Sequence, residues 1–217
     1  MSDTQNRSDD RARPRKRRSD GERSRSTILR EAAQLATIEG ISGLSIGRLA
    51  AAVGMSKSGL FAHFGSKEEL QIATIGTAGE LFAEQVITPG LSAPTGIERV
   101  KALAENYLRH VEAAVYPGGS FFASIASEMD THPGPVRDLA VQFMADWLEL
   151  VERAITDAQA EGAIDPAEDA AQLTFDIEAS LLLSNALFVI SPESNPTQRA
   201  RRAITQRLAS AAPAPPT

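Results

Sequence analysis

The sequence predicts an all-α protein, with a small N-terminal helix-turn-helix head of three helices and a larger helical body. Three observations predict it. Apolar residues recur at three- and four-residue spacing along most of the 217 residues. No stretch alternates apolar and polar residues as a half-buried strand does. Two short amphipathic segments meet at Gly54-Met55-Ser56, the layout of a helix, a sharp turn and a second helix able to enter a DNA major groove.

The chain opens with a basic segment, residues 1–25, that has almost no large apolar residue and contains the run Arg13-Pro14-Arg15-Lys16-Arg17-Arg18. Such a segment buries no core, so it is expected to be a disordered arm that follows phosphates or enters an adjacent minor groove. It lacks the order of a secretory signal. The head is expected over residues 26–70, beginning with a helix from about Ser26 to Glu39. Ser45 is a good N-cap for the next helix, where Ile46, Leu49, Ala50 and Val53 share one face. Gly54 supplies the left-handed turn, and Ser56 caps the following helix. There Leu60 and Phe64 point inward, leaving Lys57, Ser58, Phe61 and His63 outside. Ser66-Lys67-Glu68-Glu69 is a capping box opening a longer helix, whose N-terminus with Lys67 suits a phosphate.

The body, residues 71–211, follows as helices ended by Pro and Gly. The helix from Ser66 is expected to reach about Val86 and break at Thr88-Pro89-Gly90. Further helices are expected over Gly96 to Val115, Ser120 to Asp130, Val136 to Gly162 with the only tryptophan, Trp147, and Pro166 to about Ile190. A last one follows Pro196, and residues 212–217 form a flexible tail. The Pro166–Ile190 helix is apolar nearly all round from Ala179 onward, so it needs burial on two sides. That burial comes either from a two-fold copy of the chain, giving a homodimer through the C-terminal helices, or from a central position in the core of a monomer.

Charge supports the division. The net charge is −6, but residues 1–67 hold 13 Lys and Arg against 7 Asp and Glu, while residues 68–217 hold 9 against 21. A basic head on an acidic body orients the molecule toward double-stranded DNA. The absence of cysteine excludes disulfides and thiolate chemistry and fits a cytoplasmic protein. His63, His110 and His132 make no ligand spacing, so neither a metal nor a cofactor is expected. No stretch is expected to supply the ~20 apolar residues of a membrane span.

The spacing of Leu49-Ala50, Gly54, Ser56, Leu60, Phe61, His63-Phe64, Lys67 and Leu70 resembles the DNA-binding domain of the tetracycline-repressor (TetR-type) family of bacterial transcription regulators. The resemblance implies that Ser45, Arg48, Ser56, Lys57, Ser58, Gly59, Phe61, His63 and Lys67 face DNA. Lys57 and Ser58 would read base edges, and Ser45, His63 and Lys67 would touch the phosphate backbone. Two residues depart from the family pattern: Phe61 stands where a tyrosine usually binds phosphate, and Gly59 offers no side chain where a hydroxyl is frequent. A weaker resemblance, over Pro117-Gly118-Gly119-Ser120-Phe121-Phe122, Glu128 and Ala158-Gln159-Ala160-Glu161-Gly162, joins the body to one branch of the family, with Ser120 replacing a frequent cysteine.

That implies a ligand-controlled dimer, most simply a repressor released by an unknown small-molecule effector. Leu103, Tyr107, Phe121, Phe122, Ile125, Glu128, Phe143, Trp147 and Phe175 are the candidate pocket residues, with Asn185 and Asp176 as further polar groups. The alternatives are a ligand-independent regulator, an activator, an architectural DNA binder, or an enzyme using Glu128 and Asp130. No nucleophile–base pair supports the enzyme, so no catalytic residue is assigned.

Overall fold

Helix α1 spans Arg13–Glu39 in the computed structural model, which describes the backbone of residues 13–128 and 133–214, with side chains from Ser24 onward except Ser127. The expected disordered arm therefore becomes helix from Arg13, while its first twelve residues, together with Asp130, His132 and residues 215–217 of the tail, lie outside the described residues. A lack of apolar residues prevents burial but does not oppose helix. Arg, Lys and Glu propagate helix well, and extending an anchored helix avoids the nucleation step. The anchor is Ile28, Leu29, Ala32, Ala33 and Ala36, all buried.

Helices α2 (Ile46–Ala52) and α3 (Lys57–Phe64) follow as the sequence predicts. Val53 ends α2, and Gly54 takes φ +66°. The Met55 amide then bonds the Ala50 carbonyl at 2.8 Å and the Gly54 amide that of Ala51 at 3.3 Å, satisfying two terminal carbonyls. The Ser45 and Ser56 hydroxyls accept from the amides of Arg48 and Gly59, at 3.2 and 3.0 Å. Leu49, Leu60, Phe64 and Leu70 close a core against α1 and α4 (Lys67–Phe82).

The break expected at Thr88-Pro89-Gly90 does not occur. A π-helical turn, Ala83–Ile87, joins α4 directly to α5 (Thr88–Leu91). Proline has no amide to donate, and its ring collides with the carbonyl four residues back; a wider turn upstream relieves that clash without ending the helix. Then come α6 (Gly96–Glu112), α7 (Phe121–Ile125) with a 3-10 turn to Glu128, and α8 (Pro135–Ala160). Helix α9 is Ala170–Ile190, beginning four residues after Pro166 because Asp169 caps it through the Gln172 amide. Helix α10 (Pro196–Ser210) completes the body. No strand occurs among the described residues.

Helix α10 is pinned to its neighbours by Arg201, which bonds Glu105 and Glu112 of α6 at 2.7 Å each, and by Arg207, which bonds Asp176 of α9 at 2.7 Å. Helix α9, with 21 residues and a mean hydropathy of 1.6, does reach the length and composition of a membrane span, contrary to the sequence expectation. The composition has a packing cause. Leu173, Ile177, Leu181, Ser184 and Asn185 are buried in the chain, while Phe175, Leu183, Val189 and Ile190 form an exposed apolar strip on the other side.

Candidate nucleic-acid interface and ligand cavity

The outer face of α2 and α3 collects most of the residues expected at DNA. Lys57, Ser58 and Phe61 are exposed on α3, with Phe61 51% accessible despite its apolar ring. The Lys57 stem lies beside Gly47 of α2, and the Ser58 hydroxyl is 3.2 Å from that of Ser56. A side chain at Gly59 would bring its Cβ within 3.1 Å of the Ser56 hydroxyl, so this position stays close to the helix backbone. Ser45 and Ser56 have committed one lone pair each to capping. Arg48 is exposed and paired to Glu39 at 2.6 Å. His63 is half-buried beside Phe64.

Arg25, assigned above to the arm, belongs to this face. Its guanidinium donates to the His63 carbonyl at 2.6 Å and lies 4.4 Å above the Phe64 ring. A cation at the C-terminus of α3 complements the helix dipole and ties α1 to α3. The pairing spans 38 residues, and no local pattern announces it.

Lys67 stands apart from the group. Its ammonium donates to the Ser42 carbonyl at 2.7 Å, in the loop between α1 and α2. Gln71 donates to the neighbouring Ile41 carbonyl at 2.6 Å. The same loop is held from the body: the two oxygens of Glu128 accept from the Ile41 and Ser42 amides, both at 3.0 Å. Gly40 makes that approach possible. It has φ +79°, and a Cβ there would fall 2.3 Å from the Glu128 carboxylate. A second link joins the Gly118 amide to the Thr37 hydroxyl at 3.2 Å. Glu128, expected in the pocket, is therefore a head–body clamp, because its position at the end of the 3-10 turn points it at the α1–α2 loop.

The body holds a cavity of about 550 Å³ between α4, α6, α7, α8 and α9. Of the expected residues, Tyr107, Phe122, Phe143, Trp147 and Phe175 line it. Leu103, Phe121 and Ile125 do not; they are fully buried core. Phe121 and Phe122 differ because successive residues on a helix point about 100° apart, so one faces the core and the other the cavity. Phe82 sits at the centre of the wall, edge-on to Tyr107, Phe122, Phe143 and Trp147 at centroid distances of 5.2–6.1 Å. Phe122 stacks on Phe143 at 3.7 Å. Asn185 and Asp176 are also elsewhere, accepting from the Ser120 amide and from Arg207.

The polar part of the wall combines Tyr107 and Trp147, which the sequence selects, with Glu178 and Ser120, which it does not. The Trp147 indole donates to Glu178 at 2.9 Å, and burial pushes that carboxyl above its ordinary range. The Tyr107 and Ser120 hydroxyls line the cavity, are buried and lie beside each other, with no partner in full hydrogen-bond geometry among the described residues. Burial first, and the Glu178 charge second, raise the Tyr107 hydroxyl well above its usual value. The one available signal for Glu178 was a carboxylate inside an apolar helix, which needs a buried donor such as a lone indole N–H.

Comparison with known proteins places both regions. Residues 28–74 match the family described as bacterial regulatory proteins, tetR family, and residues 96–204 match the tetracyclin repressor-like, C-terminal domain. A TetR transcriptional regulator from Chloroflexus aurantiacus superposes with a TM-score of 0.80 at 24% identity, covering 88% of this chain and 96% of that one. AibR, solved with isovaleryl coenzyme A and operator DNA, gives 0.65 at 25% identity, covering 82% and 96%. A protein from Saccharomonospora viridis, solved in complex with choline, gives 0.70 at 19% identity, covering 87% and 96%. No curated protein matches the chain.

Proposed function

Because the chain belongs to the TetR family of bacterial transcription regulators, we propose that it is a homodimeric repressor, released from a palindromic operator by a small-molecule ligand. Helix α3 enters the major groove, where Lys57 and Ser58 read base edges. Ser45, Arg48, His63 and Lys67 contact phosphates, the last through the two donor hydrogens left after Ser42. Phe61 contributes sugar contacts in place of a hydroxyl, and the Gly59 backbone approaches the groove closely. The basic segment before Arg25 adds phosphate contacts. The protein works on DNA in the cytoplasm and catalyses no reaction: Glu128, the acid/base candidate, is committed to two backbone amides.

The exposed strip of Phe175, Leu183, Val189 and Ile190 on α9 supports a two-fold dimer, since a single apolar face of this kind needs cover. Two heads related by that axis engage half-sites about one helical turn (~34 Å) or more apart. The AibR structure, solved with a ligand and operator DNA, supports a ligand site and a DNA-binding face in one chain here.

The observation that carries the ligand-controlled reading is the segment from Gly118 to Glu128. Its middle places Phe122 in the cavity wall, and its ends hold the head at Thr37 and at Ile41-Ser42. A ligand that repacks Phe122 shifts the grip on the head, so DNA affinity and ligand affinity are linked reciprocally. The test is selection of randomised duplex DNA by the purified full chain. Enrichment of one two-fold symmetric site is expected; an asymmetric site or none refutes the dimeric operator reading.

A further inference from the structure

The cavity wall carries charge of one sign. Glu178 and Glu152 line it, and among the described residues no Lys, Arg or His does. One oxygen of Glu178 is taken by the Trp147 indole; the other accepts no hydrogen bond from the described residues. Tyr107 and Ser120, 3% and 1% exposed, border the same space with their hydroxyls beside each other and no partner in full hydrogen-bond geometry among the described residues. The rest of the wall is aromatic and aliphatic. Ring faces carry the negative end of their quadrupole, so they add to the field of the carboxylates.

A carboxylate or phosphate entering this space meets two acidic groups and no counter-charge, and it loses its hydration for nothing in return. An ammonium meets a carboxylate oxygen, ring faces and two hydroxyl oxygens able to accept its N–H groups. We propose that the cavity selects an amphipathic organic amine in its protonated form, with the ammonium at Glu178 and a short apolar tail against Phe82, Phe122 and Phe143. The selectivity rests on the ligand-controlled reading above and specifies the chemistry of its effector. The raised Glu178 carboxyl follows from the same arrangement: a buried negative charge without a cation beside it.

The experiment is calorimetric titration of the full chain, without DNA, by hexylammonium, 1-hexanol, hexanoate and isovaleryl coenzyme A. These share a short apolar part and differ in the charge they bring. Hexylammonium is expected to bind at least about tenfold more tightly than hexanol, with hexanoate and the coenzyme A ester weaker than either. Glu178→Gln keeps an acceptor for Trp147 and removes the charge. It is expected to bring hexylammonium within about threefold of hexanol while leaving hexanol unchanged, which also shows an intact pocket. Tyr107→Phe, which removes only a hydroxyl, is expected to lower the same preference by a smaller factor.

Tighter binding of either anion, no binding of hexylammonium at millimolar concentration, or an amine preference that survives Glu178→Gln overturns the proposal. Operator release is measured separately. Release by an anion and not by the amine overturns the ligand class and leaves the regulator reading standing. Amine binding that follows this pattern but leaves DNA bound supports the ligand class and refutes ligand-controlled release.

Discussion

The contact most open to a decisive test is the Glu128 clamp. The Glu128 carboxylate accepts from the Ile41 and Ser42 amides at 3.0 Å each, one bond partly buried and the other exposed. Hydrogen bonds to a buried charged group contribute roughly 1.5–3 kcal/mol each, and solvent access brings these two below that range, to about 1 kcal/mol each and about 2 kcal/mol in total. Glu128→Gln keeps a single acceptor oxygen and turns an NH2 toward the other amide, so most of that contribution is lost. At about 1.4 kcal/mol per tenfold, protection of the Ile41 and Ser42 amides should fall roughly thirtyfold. The assay is amide hydrogen exchange of the full chain, read at those two positions.

A second readout separates coupling from local loosening. The ratio of operator affinities with and without ligand should move toward one, while ligand affinity on the DNA-free protein tightens, by up to the roughly thirtyfold that opening the clamp costs. Gly40→Ala attacks the clamp from the other side. It places a Cβ 2.3 Å from the Glu128 carboxylate at φ +79°, a conformation costing an L-residue roughly 1–2 kcal/mol. The reasoning is refuted if exchange at Ile41 and Ser42 is unchanged in Glu128→Gln, or if the affinity ratio is kept in both variants.

Four further outcomes follow from other contacts. Lys57→Ala should relax preference at one position of each half-site by about 1–3 kcal/mol, measured on a set of single-base operator variants; equal loss on random DNA contradicts base reading. Lys67→Ala should lower the salt slope of DNA binding by about one unit, and an unchanged slope leaves Lys67 only its Ser42 bond. Leu183→Asp, on a side chain 61% exposed, should leave the protomer folded and shift sedimentation from dimer to monomer; a persistent dimer removes this face of α9 from the interface. His110 is buried with Nδ1 2.7 Å from the Gln85 amide oxygen, and burial lowers its pKa, so the unfolded chain takes up a proton that the folded one refuses. Stability should therefore fall as pH drops below about 6.5, by up to ~1.4 kcal/mol per unit, and His110→Gln should flatten that fall in urea titrations.

The head was legible because its determinants are local. The Ser45, Ser56 and Ser66 caps each act on an amide three residues ahead, and the turn at Gly54 closes within five residues. Pro89 misled because its effect depends on the π turn before it, which no residue type marks. The cavity was half legible. Large aromatics at helical spacing lie near any space in the body, but which of Phe121 and Phe122 faces it depends on how α7 docks. The roles of Glu128 and Glu178 were hidden for a simpler reason: their partners lie 86–87 and 31 residues away. A lone carboxylate reads alike at either site until the chain brings its donor to it.

The proposed switch depends on how short the connecting segment is. From Phe122 to Glu128 there are three α-helical and three 3-10 steps, a rise of roughly 10 Å. Phe121 and Ile125, on the adjoining face of α7, are 1% and 0% exposed, so the segment is seated in close-packed core and moves as a unit. A hydrogen bond near 3.0 Å is largely lost by about 3.5 Å, so a shift of about half an ångström at Phe122, carried rigidly, is enough to open the clamp. Phe122 lies 3.7 Å from Phe143 in a stack with 5° between the planes, and in the proposed switch the ligand displaces that stack. The head has no comparable freedom of its own, since Arg25, Lys67 and Gln71 tie α1, α3, α4 and the α1–α2 loop together. In the proposed switch it therefore responds as one body to the loss of Glu128, so that reorientation of the whole reading face, not a change within α3, separates it from the operator.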